Sequence, residues 1–375
     1  MRFTRNFAGM VLAALPPASL FAAQSYLVAL GQPDAVLGVA RYAGLIALVF
    51  FLFDGQSGLA PALMRLRHRE GAIRSAYLVY RLAVMGLFLA LLPLAWVLAE
   101  RETATLLPFG AAALLLRLPF LDADLDRAEL QPLGMGLQNL WMVPLAACAL
   151  AFGSIDAPAA GHCALWSSLV LALGHWRLGR RERPRFQFTS SALADLGGIV
   201  AAQGLGQIYG RFILFVLGTA FAGALASLLV YAKQFFNAAG LVTAYLRRLE
   251  LRSTGAPTMR LSLSGQGVVL VAGSVLIAFA AWRLGVPAWA LLAVLAWQVL
   301  EKLSANAVYS FQLMNRHDLA FAGLLTVIAL GLAGLGLAVT KDAVMILLAG
   351  EALAFCAVLA LWLGRHRLRP REALP

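Results

Sequence analysis

Charged residues are scarce in this 375-residue sequence, of which Asp, Glu, Lys and Arg make up only 13%. Soluble globular domains carry about 25% charged residues because their surfaces face water. The low fraction therefore argues against a soluble enzyme or a soluble nucleic-acid-binding protein. Hydrophobic residues make up 61% of the chain instead. That share is enough for about twelve membrane-spanning helices of roughly 20 residues each.

The residue patterns of several reaction types are also missing. The three cysteines, Cys148, Cys163 and Cys356, lie in apolar segments without CxxC spacing, and the five histidines form no HExxH or other paired metal-ligand motif. The sequence contains no GxxxxGK[ST] phosphate loop, so ATP hydrolysis by this chain is not expected. We therefore predict a protein that is not an enzyme and that holds no cofactor or metal.

Apolar runs separated by short polar breaks predict an all-α polytopic membrane protein with twelve transmembrane helices. The predicted spans are residues 7–30, 36–62, 76–99, 104–121, 131–152, 160–177, 192–218, 227–246, 262–283, 287–313, 319–339 and 343–364. The most basic stretch of the chain lies between the sixth and seventh spans. We predict an N-terminal six-helix lobe over residues 1–177, a basic cytoplasmic linker over 178–190 and a C-terminal six-helix lobe over 191–375.

The positive charge has an uneven distribution along the predicted loops. The net charge of +12 would suggest a nucleic-acid partner in a soluble protein, but Lys and Arg collect on the cytoplasmic side of membrane proteins. With the N-terminus inside, 21 arginines fall on inner segments, and only Arg101, Arg283 and Lys341 fall on outer loops. The alternation predicts that both termini are cytoplasmic and that no nucleic acid is bound.

A few charged residues remain inside the predicted spans. A charge at the centre of a spanning helix costs about 2.5 to 3.5 kcal/mol, so it usually faces a wet cavity or a partner. Arg81 and Arg117 are near inner helix ends, where a long side chain can extend to the interface, and Arg41 is near an outer end. The basic residues of this group are Arg41, Arg81, Arg117, Arg211, Lys233 and Lys302.

Polar side chains recur at helical spacing in the second half of the sequence. Residues four apart project from one helix face, as in span seven at Gln203, Gln207 and Arg211. Span eight has Lys233 and Asn237, and span ten has Gln298, Lys302, Asn306, Tyr309 and Gln312. These stripes line a hydrated cationic cavity or hold helices together. We favour the cavity, because acids are few in this half and Glu301 lies about 100° from Lys302 around the helix.

Two segments carry a family resemblance. Residues 40–65 contain Asp54-Gly55-Gln-Ser-Gly58 and end at Arg65. Further along, Gly210-Arg211 precedes an apolar run to Gly218, and Tyr231-Ala-Lys233 follows. These segments resemble spans two, seven and eight of the polysaccharide flippases in the multidrug/oligosaccharidyl-lipid/polysaccharide (MOP) exporter superfamily. The acidic inner loop around Asp122 to Glu129 departs from the family pattern, in which this loop is basic.

The resemblance implies two lobes that rock against each other around a central, often cationic, cavity. We therefore expect a secondary transporter that flips an anionic polyprenyl-pyrophosphate-linked oligosaccharide, such as an O-antigen, capsule or exopolysaccharide unit, across the bacterial cytoplasmic (inner) membrane by alternating access. The expected partners are the lipid-linked oligosaccharide, membrane lipids, and a glycan polymerase and glycosyltransferases as candidates. Two alternatives stay open. One is a drug or small-cation exporter of the same superfamily, and the other is a non-transporting scaffold of a glycan-assembly complex with a dry interior.

Candidate site residues follow from this hypothesis. Cations pair with phosphate or acidic sugars, and amide or hydroxyl groups bond sugar hydroxyls. The predicted cation contacts are Arg41, Arg211, Lys233 and Lys302, and the predicted polar contacts are Gln207, Asn237, Gln298, Asn306 and Tyr309. Three acids, Asp54, Asp195 and Glu301, couple an ion to transport or pair internally.

Overall fold

The structure, a computed structural model, describes most of the chain and consists of α-helices over the described residues. The described residues are 2–54, 70–98, 104–118, 136–178, 187, 189–253, 260–313 and 317–364. Within these ranges, side chains are not described at 2–10, 70, 73, 95, 98, 175, 177–178, 193–204, 207, 241–253, 260–263, 312–313 and 317.

Each of the twelve predicted spans overlaps one helix. The helices of the first half are α1 (Arg2–Ala29), α2 (Pro33–Asp54), α3 (Glu70–Leu98), α4 (Leu106–Arg117), α5 (Met142–Phe152) and α6 (Ala157–Leu178). The helices of the second half are α7 (Ser190–Ala220), α8 (Ala224–Ser253), α9 (Arg260–Leu284), α10 (Ala288–Leu313), α11 (His317–Lys341) and α12 (Val344–Gly364).

Most of these helices have the length and composition of membrane spans. Within the described residues, eight helical segments are long and apolar enough to cross a membrane, and three shorter segments are also apolar: Leu106–Arg117, Met142–Phe152 and Ile208–Ala220. The fifth predicted span, residues 131–152, is interrupted by a turn over 139–141 before α5 begins. Pro144 contributes to the interruption, because it has no N–H to donate to residue 140 and lies in the first turn of α5, where proline disturbs a helix least.

Tight turns connect successive helices at the end of the bundle that the charge pattern predicts to be outside. At the end of α1, Gly31 has a φ of +70°. The amides of Gly31 and Gln32 donate to the carbonyls of Val28 and Leu27 at 2.9 and 3.1 Å. This is a Schellman motif, in which a left-handed residue satisfies the last helical carbonyls. The same pair of bonds ends α9 at Gly285 and α11 at Asp342.

The two halves of the chain meet near these tight turns. The α2 helix packs along α7, and α1 packs against α8. A Cβ atom at Gly218 of α7 would lie 2.5 Å from the backbone nitrogen of Arg41, so the two backbones touch. Polar contacts also join the two halves at this end. The Ser25 and Tyr231 hydroxyls are 3.0 Å apart, and the Ser227 hydroxyl donates to the Pro33 carbonyl at 2.9 Å. This end of the bundle is therefore closed.

We expect Gly218→Ala to destabilise the protein, because the added methyl would displace backbone atoms of α2. Overpacking of this kind costs about 1 to 3 kcal/mol. The matched control is Gly210→Ala in the same helix, since no atom outside the helix backbone lies within 4 Å of a Cβ built there. Thermal unfolding of the purified variants should place Gly218→Ala well below the wild type and Gly210→Ala at or above it. Equal melting temperatures for the two variants would show that α2 and α7 do not touch at Gly218.

Candidate functional site

A cavity of about 380 Å³ lies between helices of the two halves. The first half contributes α1, α2 and residues 139–142, and the second half contributes α7, α8, α9 and α10. Apolar side chains form part of the wall, among them Leu20, Trp141, Leu214 and Phe236. The polar wall residues are Asn139, Arg211, Gln234, Asn237, Gln266, Glu301 and Lys302. A site of this size and mixed lining is typical of small-molecule binding.

Arg211 reaches the cavity from α7. Its guanidinium carbon lies 4.3 Å from the centroid of the Phe51 ring on α2. A ring face attracts a cation, so this contact orients the guanidinium at the boundary between the two halves. The close approach of α2 at Gly44 supports this position, because a Cβ there would lie 3.2 Å from the Arg211 carbonyl oxygen. Arg211 is therefore a cation that both halves of the chain position.

Lys302 reaches the cavity from α10. Its ammonium nitrogen is 4.4 Å from the centroid of the Phe236 ring and 3.6 Å from Glu301 Oε2. The expectation from helical spacing that Glu301 points away from Lys302 is wrong. Adjacent residues start about 100° apart, but long side chains can cover that angle. Glu301 Oε2 is buried and accepts no hydrogen bond from the described residues.

Lys233, predicted as a cargo contact, is not among the described wall residues of the cavity. Its ammonium donates to both carboxylate oxygens of Glu351 on α12, at 2.9 and 2.7 Å. The Tyr209 hydroxyl and the Trp297 indole N–H also donate to this carboxylate, at 2.8 and 2.9 Å. Four donated bonds fill a carboxylate's usual capacity. The cluster therefore joins α7, α8, α10 and α12 inside the second half. The charge of Lys233 is paired with that of Glu351.

Asp54 forms a second buried ion cluster in the first half. Its carboxylate accepts from Arg81 at 2.9 Å and from Arg117 at 2.5 Å, and all three side chains are at most 1% exposed. The expectation that the two arginines could extend to the membrane interface is therefore wrong. Of the two roles left open for Asp54, internal pairing is the one seen. Asp54 ends α2, Arg81 lies on α3 and Arg117 ends α4, so the cluster ties three helices together.

Helix ends add polar contacts to the Asp54 cluster. Arg81 donates to the carbonyls of Arg117 and Leu118 at 3.0 and 3.1 Å, and the Tyr77 hydroxyl donates to the Asp54 carbonyl. These carbonyls belong to the C-terminal ends of α4 and α2. A helix C-terminus carries partial negative charge, so the contact between Arg81 and the end of α4 is favourable.

The other predicted site residues have different positions. Asn237 lines the cavity, whereas Gln298 donates to the Ser274 hydroxyl at 2.5 Å and is 1% exposed, so it joins α10 to α9. Asn306 donates to the Gln266 side chain. Arg41 and Tyr309 do not lie in the described wall of the cavity. Gln207 and Asp195 fall in α7, but their side chains are outside the described residues.

Sequence reasoning assigned no role to Glu351, although a signal was present. Glu351 is the one acidic residue of the last predicted span. An intramembrane carboxylate requires a counter-charge or several donors. Its partners Tyr209, Lys233 and Trp297 come from three other helices, which spacing along one helix does not identify.

We expect Asp54→Asn to destabilise the protein strongly, because it removes the carboxylate that pairs with two buried arginines. Breaking one side of a buried ion pair typically costs about 3 to 5 kcal/mol. The matched control is Asp34→Asn, which changes an exposed carboxylate in the first turn of the same helix. Denaturant unfolding of detergent-solubilised protein measures both variants. A loss for Asp54→Asn no larger than that for Asp34→Asn would contradict the buried cluster.

No family model matches the sequence, and no curated protein matches it. Solved structures do match. An inward-facing multidrug resistance MATE family transporter of the MOP superfamily gives a TM-score of 0.59 at 12% identity, covering 97% of this chain and 100% of that chain. An outward-facing MATE family transporter gives 0.54 at 14% identity, with coverages of 97% and 94%. A MOP superfamily transporter from Pyrococcus furiosus, described as having a binding pocket of reverse polarity, gives 0.51 at 14% identity, with coverages of 96% and 95%.

These comparisons show a shared fold, and they do not single out the polysaccharide flippases. The likeness extends over nearly the whole chain at low identity, so it is a likeness of fold. The chain has the fold of the MATE transporters of the MOP superfamily.

Proposed function

We propose that this protein is a secondary transporter that works by alternating access. Three observations support the proposal: the shared fold, a cavity between the two halves of the chain, and contacts between the halves that close one end of the bundle. The two buried ion clusters each lie within one half. Each half can therefore move as a lobe, with residues 1–177 and 191–375 as the lobes and 178–190 as the linker.

The cargo is an amphipathic anion. The observation that carries this proposal is the pair of cations on the cavity wall, Arg211 and Lys302, beside Glu301 as the one acid in the described wall. A phosphate cannot enter hydrocarbon without pairing, and arginine binds phosphate oxygens through two parallel hydrogen bonds. The apolar wall residues Leu20, Leu214 and Phe236 suit a hydrocarbon chain beside the charge.

Within this class, a polyprenyl-pyrophosphate-linked oligosaccharide is the cargo we propose. It combines a pyrophosphate, a hydrocarbon chain and sugar hydroxyls, which match the cations, the apolar wall and the amides Asn139, Gln234 and Asn237. A cavity of about 380 Å³ encloses the pyrophosphate region, so a longer glycan extends towards the inner side. The proposal places the protein in the bacterial inner membrane, with glycosyltransferases and a glycan polymerase as partners.

Glu301 is the proposed coupling acid. Its carboxylate reaches the cavity, and Oε2 is buried 3.6 Å from the Lys302 ammonium without a hydrogen bond to the described residues. Asp54 and Glu351, by contrast, each accept hydrogen bonds from several donors.

Export of drug-sized organic cations is the second candidate function. The size of the cavity fits such a molecule, and two of the similar structures are described as multidrug resistance transporters. Glu301 is the group that would pair with a cationic drug. The two cations of the described wall favour an anion, and the cavity itself favours either transport function over a dry scaffold.

We expect Arg211→Gln and Lys302→Gln each to weaken anionic cargo binding. A hydrogen bond to a charged group contributes about 1.5 to 3 kcal/mol, which corresponds to roughly 10- to 100-fold in affinity. Flipping of a fluorescent lipid-linked sugar in proteoliposomes, read by a membrane-impermeant quencher, should fall accordingly. The charge-matched control Lys341→Gln lies at the exposed end of α11 and should flip at the wild-type rate. Unchanged flipping in both cavity variants would rule out the proposed cargo site.

Glu301→Gln should uncouple transport from an ion gradient. An amide cannot be deprotonated, so an imposed pH or sodium gradient should no longer drive accumulation, while downhill flipping continues. Proteoliposomes with and without each gradient measure the two rates. Asp342→Asn is the control, because Asp342 is an exposed acid in a tight turn and Asn tolerates its φ of 48°. Gradient-driven accumulation that survives in Glu301→Gln would remove Glu301 from the coupling mechanism.

A further inference from the structure

We propose that the buried side-chain amide of Gln24 disfavours the closed junction between the two halves at the tight-turn end, so that its burial favours the opening of this end. The inference rests on the alternating-access mechanism proposed above. It concerns which of the two states the empty protein prefers, and it does not depend on the identity of the cargo.

Gln24 lies on α1 and has no hydrogen-bond partner for its amide. The residue is 0% exposed. Its Oε1 and Nε2 atoms are both buried, and neither forms a hydrogen bond within the part of the chain that the structure describes. A glutamine amide has two donor hydrogens and an acceptor oxygen, which water satisfies when the amide is exposed. A donor or acceptor that is buried without a partner bears the full cost of leaving water. The closed state therefore bears this cost at Gln24.

The position of Gln24 is on the face of α1 that lines the cavity. Pro17 and Leu20 belong to the cavity wall, and Gln24 follows them by seven and four residues. At about 100° per residue, Gln24 lies about 20° from Pro17 and about 40° from Leu20 around the helix. It is also one turn nearer than Leu20 to the tight-turn end. The cavity lies between the halves, so at Gln24 this face of α1 passes from the cavity into the closed junction.

The residues on either side of Gln24 along the helix contact the second half. The centroid of the Phe21 ring lies 4.9 Å from that of the Tyr231 ring on α8. The Ser25 hydroxyl lies 3.0 Å from the Tyr231 hydroxyl. Separation of the halves at this end breaks both contacts and lets water reach this face of α1. The Gln24 amide then regains hydrogen bonds, so opening removes the cost that closure imposes.

Gln24 and Ser25 are adjacent, but they affect the junction in opposite directions. The closed state pairs the hydroxyl of the buried Tyr231 with Ser25, whereas it pairs neither polar atom of Gln24 with a described residue. A change that acts on only one of two states shifts the equilibrium between them. Loss of the Ser25 hydroxyl should therefore favour the open state, and loss of the Gln24 amide should favour the closed state.

The test measures the ratio of open to closed protein in lipid nanodiscs by pulsed electron paramagnetic resonance. Spin labels at Ser154→Cys and Ala288→Cys report the distance between the halves in the full-length protein, with its native cysteines replaced by serine. Both positions are exposed, beside the turns that connect α5 to α6 and α9 to α10. Gln24→Met keeps the length of the side chain and removes the amide. It should lower the ratio by about fivefold or more.

Two further variants calibrate this measurement. Ser25→Ala should raise the ratio of open to closed protein, and Gln24→Met should lower it again in the Ser25→Ala background, where the open state is more populated. Leu27→Met is the matched control, since it changes a buried apolar side chain of the same helix without changing its polarity. Its ratio should stay close to that of the wild type.

Thermal unfolding gives a second readout that separates an unpaired amide from one that holds helices together. Gln24→Met should raise the melting temperature of the purified protein, because its closed state no longer buries an unpaired amide. Loss of an amide that joined two helices would lower the melting temperature instead.

The outcomes separate this inference from the proposed function. An unchanged ratio for Gln24→Met in both backgrounds, or a lower melting temperature, would overturn the role of Gln24 while leaving the transport mechanism intact. One and the same distance in the wild type and in Ser25→Ala would show that the halves do not separate at this end. Alternating access and the inference that rests on it would then both be wrong.

Discussion

Ionised side chains that leave water require a counter-charge, and the carboxylates of Asp54 and Glu351 meet this requirement deep in the protein. Asp54 pairs with Arg81 and Arg117. Glu351 neutralises Lys233 and takes two further donors. These pairings decide which cations face the cavity, since the cations held by buried carboxylates are not offered to a ligand. The charge presented by the described wall comes from Arg211, Lys302 and Glu301.

The same pairings divide the molecule mechanically. The Asp54 cluster joins α2, α3 and α4, and the Glu351 cluster joins α7, α8, α10 and α12, so each of these two ion clusters stays within one half. At the tight-turn end the halves touch through close backbone approach at Gly218, through the Ser25 and Tyr231 hydroxyls, and through the Arg283 guanidinium, which donates to the Ala29 carbonyl.

Hydropathy and charge pattern predicted the helices well, because the constraint of a bilayer acts on each span separately. Each predicted span overlaps a helix, and the main internal difference, at span five, lies beside Pro144. The candidate site was predicted less well, because spacing within one helix says which residues share a face but not what that face meets. Lys233 donates to Glu351, which lies 118 positions further along the chain, and Gln298 donates to Ser274 on α9. Lys302 and Glu301 can pair because both side chains are long, and the angle between two positions around a helix does not take side-chain length into account.

The central claim is that an anion binds between the two halves at Arg211 and Lys302. A cryo-electron microscopy structure of the full-length protein with geranyl pyrophosphate tests it most directly, since phosphorus-containing groups give strong density. The claim predicts pyrophosphate oxygens within about 3 Å of both Arg211 and Lys302, a distance typical of charge-assisted hydrogen bonds, with the hydrocarbon chain along Leu214 and Phe236. Density for the pyrophosphate outside this cavity, or a cavity that stays empty under saturating ligand, would contradict it.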